Sequence, residues 1–437
     1  MRNFFISQLY RDLSYNRSML NYALSLSKNK FVRGGIIVTT ASFLANVLNY
    51  FFQSLLGHTL GSSGFGEIAA LFSYIALISV PLSVITTIII QKVSSSKDSI
   101  VYAHELESFF IDKLRKWWFL LVIPFLAIPF IPRLTNLSVV TSYMLVPFLI
   151  ISLVSIFHTS ALQGLALFFE FSIINLLATV FKLMGPLLVL FHVGGLPTVL
   201  LCILLSALFS LITHVRIFRK YVAKHAVESK NMHIEKRLIS FLSNKQFAIT
   251  LFSLLSIVAL NNIDIILVKK FFSSTDAGLY AAWSLFGKII FYLFSPVASV
   301  TFVFFAKNHG KRAQNAMLLF FLGMFLITIC AYIGYYYLGA LFIPLFFGNQ
   351  FIAVIPHLGL ASLFGSLYTV IFFINNYFLA KVSKFALILP ISIPLYIVAI
   401  YYSSSTIESI FLIDVYFVAV LTVLYSGAYI LRIKREV

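Results

Sequence analysis

The chain has 437 residues, of which 60% are hydrophobic and 11% are charged, and its mean hydropathy is +0.98. This composition excludes an ordinary soluble globular protein and indicates a membrane protein. The formal net charge of +18 would suggest a nucleic-acid partner in a soluble chain. Here the basic residues flank apolar segments, so membrane orientation explains them and no nucleic-acid binding is expected. Cys202 and Cys330 are isolated in apolar segments and indicate no disulfide framework.

Residues 1–33 are predicted to form a basic amphipathic helix on the cytoplasmic membrane surface. Apolar residues recur there at broadly helical spacing, and Arg2, Arg11, Arg17 and Lys28 are interspersed among them. These charges interrupt any apolar core that could act as a cleavable secretory signal.

The rest of the chain is predicted to cross the membrane twelve times. A helix needs about 20 apolar residues to span the hydrocarbon core. Segments of this kind occur at 34–56, 68–90, 117–132, 139–162, 171–192, 196–215, 246–268, 278–305, 316–338, 353–379, 385–402 and 407–431. The predicted fold class is therefore an all-α polytopic membrane protein with about 12 transmembrane helices.

Lysine and arginine are concentrated in every second gap between these spans. If the N-terminus is inside, 27 of the 32 basic residues lie in inner segments. Three others, Arg133, Lys269 and Lys270, lie in outer segments. Because positive charges beside a span stay on the cytoplasmic side, we expect both termini to be cytoplasmic. The predicted location is the cell (inner) membrane.

The longest internal basic gap divides the spans into two sets of six. It predicts an N-lobe at 34–215, a basic cytoplasmic linker at 216–245 and a C-lobe at 246–437. Span 2 opens with the sequence GEIAA at Gly66, and span 8 opens with GLYAA at Gly278. The two motifs lie about half a chain apart, which favours an internal repeat, although two apolar helices can also match by chance.

Proline occurs inside both of these repeat-related spans, as Pro81 in span 2 and Pro296 in span 8. Proline removes one helical hydrogen bond, so each is predicted to kink its helix. Such a kink can allow a transport gate to bend or can simply shape packing, and the sequence leaves both roles open.

Four spans carry polar side chains along one face, which is costly if that face meets lipid. The faces are Thr39, Ser42, Asn46, Asn49 and Gln53 in span 1, Ser172, Asn175, Thr179 and Lys182 in span 5, Ser284, Lys288, Tyr292, Ser295 and Ser299 in span 8, and Ser362, Ser366, Thr369 and Asn376 in span 10. Interhelical hydrogen bonding can explain the single hydroxyls. Polar faces in both halves favour a shared hydrated cavity. Its predicted polar lining is Asn46, Asn49, Gln53, Asn175, Ser284 and Tyr292.

Lys182 and Lys288 lie near the middle of spans 5 and 8, one in each half of the chain. A charge at this depth costs at least about 2.5–3.5 kcal/mol unless it meets a partner or water. The two lysines therefore predict a cationic cavity that binds an anion such as phosphate or pyrophosphate. The alternative is that each lysine forms a structural pair with a buried acid.

Asp264 lies near the outer end of span 7, and the sequence leaves three roles open for it. It can bind a coupling proton or cation, pair with Lys288, or anchor the end of its helix. Asp414 and Glu170 are interpreted as interfacial or capping residues, and His158 as a hydrogen-bonded packing residue. The chain contains no Gly-rich phosphate loop, HExxH motif or nucleophile elbow. We therefore expect neither an enzyme nor a cofactor or metal.

The run LGSSGFGEIAALFS from Leu60 to Ser73, followed by Pro81, resembles the helix 1–2 loop of polysaccharide flippases. These proteins belong to the multidrug/oligosaccharidyl-lipid/polysaccharide (MOP) exporter superfamily. The run DIIL at Asp264, followed by AGLYAA at Ala277, shows the same resemblance in the second half. The resemblance implies two six-helix lobes around a central cavity, with alternating access.

The resemblance to Wzx-type oligosaccharide flippases also implies a function. Such proteins move undecaprenyl-pyrophosphate-linked oligosaccharide to the outer leaflet for cell-surface polysaccharide biosynthesis, and cationic cavity residues attract the pyrophosphate. Lys182 and Lys288 match that role by type and depth. The implied partners are the lipid-linked oligosaccharide, the bilayer, a coupling proton or cation, and polysaccharide-assembly proteins. The alternative is a MATE-like, cation-coupled antiporter of drugs or metabolites, which the lack of a carboxylate in span 1 disfavours.

Overall fold

The computed structural model describes residues 30–119, 122, 125, 126, 128–225, 245–307, 311–402 and 406–436, and the regular structure in these ranges is helical. The α-helices are α1 (Lys30–Ile78), α2 (Val80–Ser95), α3 (Ser99–Lys116), α4 (Ile131–Thr135), α5 (Val139–Gly164), α6 (Phe168–Leu190), α7 (Leu196–Lys224), α8 (Lys245–Leu260), α9 (Ile263–Phe271), α10 (Ser274–Lys307), α11 (Lys311–Phe346), α12 (Leu358–Ala380), α13 (Ile388–Tyr402) and α14 (Ile407–Glu436). Short 3₁₀ helices occur at Ile128–Phe130, Asn349–His357 and Lys384–Leu387. The surface helix predicted at 1–33 lies outside the described residues up to position 29.

The lengths and hydropathy of these helices confirm a multi-pass membrane fold. Within the described ranges, nine helical segments are long and apolar enough to cross a membrane, and the bent pair α8–α9 makes a tenth. Helix α1 contains predicted span 1 and the first part of predicted span 2, which are separated by a kink at Gly61. The span predicted at 117–132 lies partly outside the described residues. Twelve spans are consistent with this architecture.

The connection between spans 1 and 2 is shorter than the sequence predicts. Helix α1 continues through residues 57–67, which were expected to form a loop, with one non-helical residue at Gly61. The φ of Gly61 is +68°, a left-handed conformation that glycine adopts without the strain other residues suffer. The two helical segments therefore meet at a kink of a single residue.

Span 2 is interrupted near Pro81. Helix α1 ends at Ile78, helix α2 begins at Val80, and Pro81 lies in the first turn of α2. Proline is tolerated in a first helical turn because the amide hydrogen it lacks would have no partner there. Helix α10 is helical through Pro296, but the side chain of that residue lies outside the described part of the structure.

Two stretches in the charged gaps between the predicted spans are helical. Helix α3 occupies most of the 91–116 gap, and α7 continues to Lys224, past the predicted lobe boundary at 215. Buried apolar residues of α3 and α7, among them Tyr102, Leu106 and Phe218, form a second core beneath the N-lobe. This amphipathic packing stabilises both segments as helices, although neither belongs to a predicted span.

Glu107 on α3 links these two helices to α5. Its Oε1 atom accepts hydrogen bonds from His158 Nε2 at 3.1 Å and from Arg219 Nε at 3.2 Å. Burial acts to raise the pKa of Glu107, but the hydrogen bonds and charges of His158 and Arg219 outweigh it and hold the pKa below its usual value. His158 is thus a hydrogen-bonded packing residue, as interpreted from the sequence.

A carboxyl group with a lowered folded-state pKa stabilises the protein above its unfolded pKa and loses that contribution as the pH falls through the folded value. Glu107→Gln removes this contribution. We therefore expect the difference in melting temperature between wild type and Glu107→Gln to shrink below about pH 4, near the ordinary pKa of glutamate. Thermal unfolding of both proteins in detergent across pH tests this, and parallel melting curves would contradict it.

The seventh span is bent, whereas a continuous helix was predicted at 246–268. Helices α8 and α9 meet at an angle of 48° across Asn261 and Asn262. The Asn262 side-chain amide donates to the Val258 carbonyl oxygen at 2.8 Å. A side chain bonded to the backbone in this way competes with the regular helical ladder.

The helices form the two lobes that the sequence predicts. Helices α2, α5, α6 and α7 pack with α1 on one side, and α11 to α14 pack with α8, α9 and α10 on the other. Helix α1 contacts α10 directly, so the line between the lobes follows these two helices.

Candidate substrate cavity and carboxylate cluster

Two adjoining cavities lie between the lobes, and together we call them the central cavity. The larger has a volume of about 340 Å³ and the smaller about 80 Å³. Both are lined by Gln53, Phe72, Asn262, Leu285 and Tyr292. Lys182 lines the larger cavity and Lys288 lines the smaller one. The two lysines, one from each lobe, therefore border adjoining cavities with a shared wall.

Lys182 is held at its place by helix α1. Its ammonium group donates a hydrogen bond to the Oδ1 atom of Asn49. The Nζ atom also lies 4.5 Å from the ring centroid of Phe52 and 5.6 Å from that of Phe72. Aromatic faces attract a cation without neutralising its charge, so these contacts favour the ammonium form of Lys182 at the cavity wall.

Lys288 is buried in α10, and its side chain is more enclosed than that of Lys182. Its charge interacts with the carboxyl groups of Asp264 and Asp414. Within the described part of the chain, its ammonium group makes no hydrogen bond and no ion pair closer than 4.0 Å. Lys288 therefore lies between the cavity and the two carboxyl groups, with donors available to a bound molecule.

The carboxylate cluster, which comprises Asp264, Asp414, Tyr280 and Tyr396, lies behind Lys288. All four residues are fully buried. The Tyr280 hydroxyl contacts Asp264 at 2.7 Å and also contacts Asp414, whose other oxygen accepts from Tyr396 at 2.6 Å. The interpretation of Asp414 as an interfacial cap was wrong. Its position inside an apolar run, well past the start of α14, was the signal that could have identified it.

The structure places only part of the predicted polar lining at the cavity. Asn46, Asn49, Gln53 and Tyr292 line it. Ser284 is fully buried away from both cavities, and Asn175 contributes to neither lining. The sequence missed Tyr50 and Asn262, which do line the cavity.

Other residues of the polar faces have packing roles, or their side chains lie outside the described part of the structure. In span 10, Ser362 and Thr369 donate to backbone carbonyl oxygens of their own helical segment. This matches the alternative of structural hydrogen bonding. The side chains of Thr39, Ser295 and Ser299 lie outside the described residues.

The lobes are joined at one end of the bundle, where residues 54–67 meet residues 269–278 and 343–350. We call this the sealed end, and it is the end predicted to face outward. Lys269 forms a 2.7 Å ion pair with Glu67, and both side chains are at least nine-tenths buried. The Asn136 amide donates to the Lys269 carbonyl oxygen at 2.9 Å. Lys269 was predicted to be a loop charge, but it is a buried residue that ties the C-lobe to the N-lobe.

The two glycine motifs that favour an internal repeat touch each other at the sealed end. A Cβ atom added to Gly66 would lie 2.6 Å from the backbone nitrogen of Gly278. One added to Gly278 would lie 1.8 Å from the Ser62 carbonyl oxygen. Neither position accepts a side chain, because such contacts are far shorter than van der Waals separations.

This arrangement suits recognition of a partly anionic molecule. Two ammonium groups and several amides point at one space, and none of the lining residues is acidic. Among the described residues, no group of three or more His, Cys, Asp or Glu side chains could hold a metal ion. The cavity therefore offers hydrogen-bond donors and positive charge for binding.

No protein-family model and no curated protein matches the sequence, but solved structures share its fold. A MATE transporter superposes with a TM-score of 0.62 at 15% identity, covering 94% of this chain and 98% of its own. An inward-facing multidrug resistance MATE transporter of the MOP superfamily gives 0.60 at 12% identity, with 92% and 98% covered. The lipid II flippase MurJ, in an inward closed conformation, gives 0.59 at 13% identity, with 90% and 87% covered. The chain therefore has the fold shared by MOP-superfamily MATE transporters and the MurJ flippase.

Proposed function

We propose that the protein is a flippase that moves a polyprenyl-pyrophosphate-linked oligosaccharide from the cytoplasmic to the outer leaflet. The observation that carries this proposal is the charge of the central cavity. Lys182 and Lys288 border it from opposite lobes, and no carboxylate lines it. Such a wall attracts an anion and repels the cationic molecules that a drug antiporter of the MATE type would carry.

The other lining residues suit the sugar and the lipid. Asn46, Gln53 and Asn262 present amides that can hydrogen-bond to hydroxyl groups, and Tyr50 and Tyr292 present aromatic faces. The same fold in a lipid II flippase supports transport of a lipid-linked substrate. The polyprenyl chain would remain in the bilayer, where its burial needs no protein contact.

The proposal includes an orientation and a setting. Both termini face the cytoplasm, the protein lies in the cell (inner) membrane, and polysaccharide-assembly proteins use its product. The basic gaps of the sequence support the orientation. In this orientation the sealed end faces outward, so the central cavity would receive substrate from the cytoplasmic leaflet.

Neutralising the two cavity lysines tests the proposal. A hydrogen bond from a charged group contributes about 1.5–3 kcal/mol, so Lys182→Gln and Lys288→Gln should each lower flipping about 10- to 100-fold. The assay is reconstitution in vesicles with a labelled lipid-linked oligosaccharide, scored by its protection from an external enzyme. Lys270→Gln is the matched control, because Lys270 is exposed and lies outside the cavity.

Two outcomes would contradict this proposal. Normal flipping by the double variant, at normal abundance in the membrane, would exclude the lysines as an anion site. Export of a cationic dye driven by a proton or sodium gradient, without movement of the lipid-linked sugar, would favour the MATE-like antiporter. The buried carboxylate cluster is the feature that supports this second function.

A further inference from the structure

The carboxylate cluster contains more close oxygen contacts than its phenols have protons. Tyr280 contacts an oxygen of each aspartate, and Tyr396 contacts the second oxygen of Asp414. Each of these contacts needs one hydrogen, and each phenol supplies only one. The missing hydrogen has to come from a carboxyl group. Asp264 and Asp414 together therefore hold at least one proton, and the Lys288 charge that interacts with both balances one remaining negative charge.

The proton is shared by the two aspartates. Both oxygens of Asp414 contact phenol hydroxyls, and Oδ2 of Asp264 contacts the Tyr280 hydroxyl. Asp264 also lies in the first turn of α9, where the backbone amides and the helix dipole favour a negative charge. The remaining negative charge therefore belongs to the pair as a whole.

Lys288 is the counter-ion of this singly charged pair. Its charge interacts with both aspartates, and its side chain also lines the central cavity. Among the described residues, the other titratable group that interacts with an aspartate of the cluster is the buried phenol of Tyr368 on α12, which also interacts with Tyr292. Farther along α9, Lys269 is already paired with Glu67. Lys288 is thus the cation through which a molecule in the cavity can act on the aspartates.

We propose that Lys288 is a counter-ion shared between the aspartate pair and an anionic substrate, so that binding of the anion draws a second proton onto the pair. When a phosphate group engages the ammonium, the negative charge of the aspartate pair loses its compensating charge in a buried site. An unpaired buried carboxylate is costly, and taking up a proton from solvent to form the neutral acid removes that cost. The identity of the anion as a pyrophosphate rests on the proposed function.

This coupling has a thermodynamic consequence for transport. Because linkage is reciprocal, the proton strengthens anion binding by the same factor by which the anion strengthens proton binding. Anion and proton then occupy the protein together, and the pair releases its extra proton when the anion leaves. The coupled ion is a proton, carried by the Asp264–Asp414 pair rather than by Asp264 alone.

Infrared difference spectroscopy on the purified full-length protein tests the proton count. Sulfate is the probe, because it engages the ammonium as a phosphate would and does not itself titrate near neutral pH. Without sulfate, we expect one buried carboxylic-acid C=O band, which disappears in Asp264→Asn. Added sulfate should double the intensity of this band, and a pH indicator in weak buffer should show uptake of one proton per protein. Lys270→Gln should behave as wild type.

Lys288→Gln provides the decisive comparison. Without its counter-ion the pair should hold two protons at the start, so the band should be doubled before sulfate is added and should not respond to it. Sulfate binding without a new band or proton uptake would overturn the shared counter-ion and leave the flippase proposal intact. A doubled band in Lys288→Gln, together with absent flipping of lipid-linked sugar by wild type, would instead overturn the flippase and retain the coupling.

Discussion

Glu67→Ala is expected to lower the free energy of unfolding by about 3–5 kcal/mol, because it leaves the Lys269 ammonium buried without its partner. The pair is 2.7 Å long and almost fully enclosed between the lobes. The remaining hydrogen bond from Lys269 to the Ser274 hydroxyl, at 3.1 Å, does not supply a counter-charge. Denaturant titration of the detergent-solubilised protein measures the loss.

The double variant Glu67→Met with Lys269→Met should be close to wild type in stability, since removing both charges also removes their desolvation cost. Lys270→Ala, an exposed neighbour, serves as the control and should change stability by no more than about 0.5 kcal/mol. A loss below about 1 kcal/mol for Glu67→Ala would equate the pair with a surface ion pair and exclude a role in joining the lobes.

Gly278→Ala is expected to separate the lobes at the sealed end. The added methyl group would lie 1.8 Å from the Ser62 carbonyl oxygen, and backbone on both sides leaves it no room. Overpacking of this kind costs about 1–3 kcal/mol or more, which the protein can relieve by opening. Labelling of a cysteine placed at Ser73, which lines the smaller cavity, by a membrane-impermeant thiol reagent added outside should become faster.

The matched control for this substitution is Gly323→Ala. It lies in a helix, and a methyl group added there meets nothing within 4 Å. Alanine is a better helix former than glycine by about 1 kcal/mol, so this variant should keep the wild-type labelling rate and should be no less stable than wild type. Both measurements use a background in which Cys202 and Cys330 are replaced by serine. Equal labelling of Gly278→Ala and wild type would show that the sealed end tolerates the methyl group.

Hydropathy alone was sufficient to predict most of the membrane-spanning helices. Spans such as 139–162 and 171–192 lie within α5 and α6, except for the last residues of the second. Where the apolar segment is long enough to cross the bilayer, the hydrocarbon core offers the backbone no hydrogen-bond partners. The segment therefore has to form a helix. The predictions failed where tertiary packing determines the secondary structure. Helix α3 is amphipathic and charged, and it is stabilised by a core that no local pattern reveals.

The candidate site could be predicted only in part, because pairing in space is not visible in a single sequence. The depth of Lys182 and Lys288 identified both residues, since an intramembrane charge needs a partner or water. The depth of a residue in its span could not show which polar side chains line the cavity. Asn49 contacts Lys182 there, whereas Ser284 is buried away from the cavity. The charge pattern likewise placed Lys269 in a loop, because its partner Glu67 lies two hundred residues away.

The contact between Gly66 and Gly278 has a consequence for the origin of the fold. These glycines occupy the same position in the two sequence repeats, and their backbones touch each other. In a symmetric homodimer, residues on the two-fold axis meet their own copies in this way. The predicted internal repeat would make this contact a meeting of equivalent positions, of the kind that two copies of one six-helix unit form at a two-fold axis.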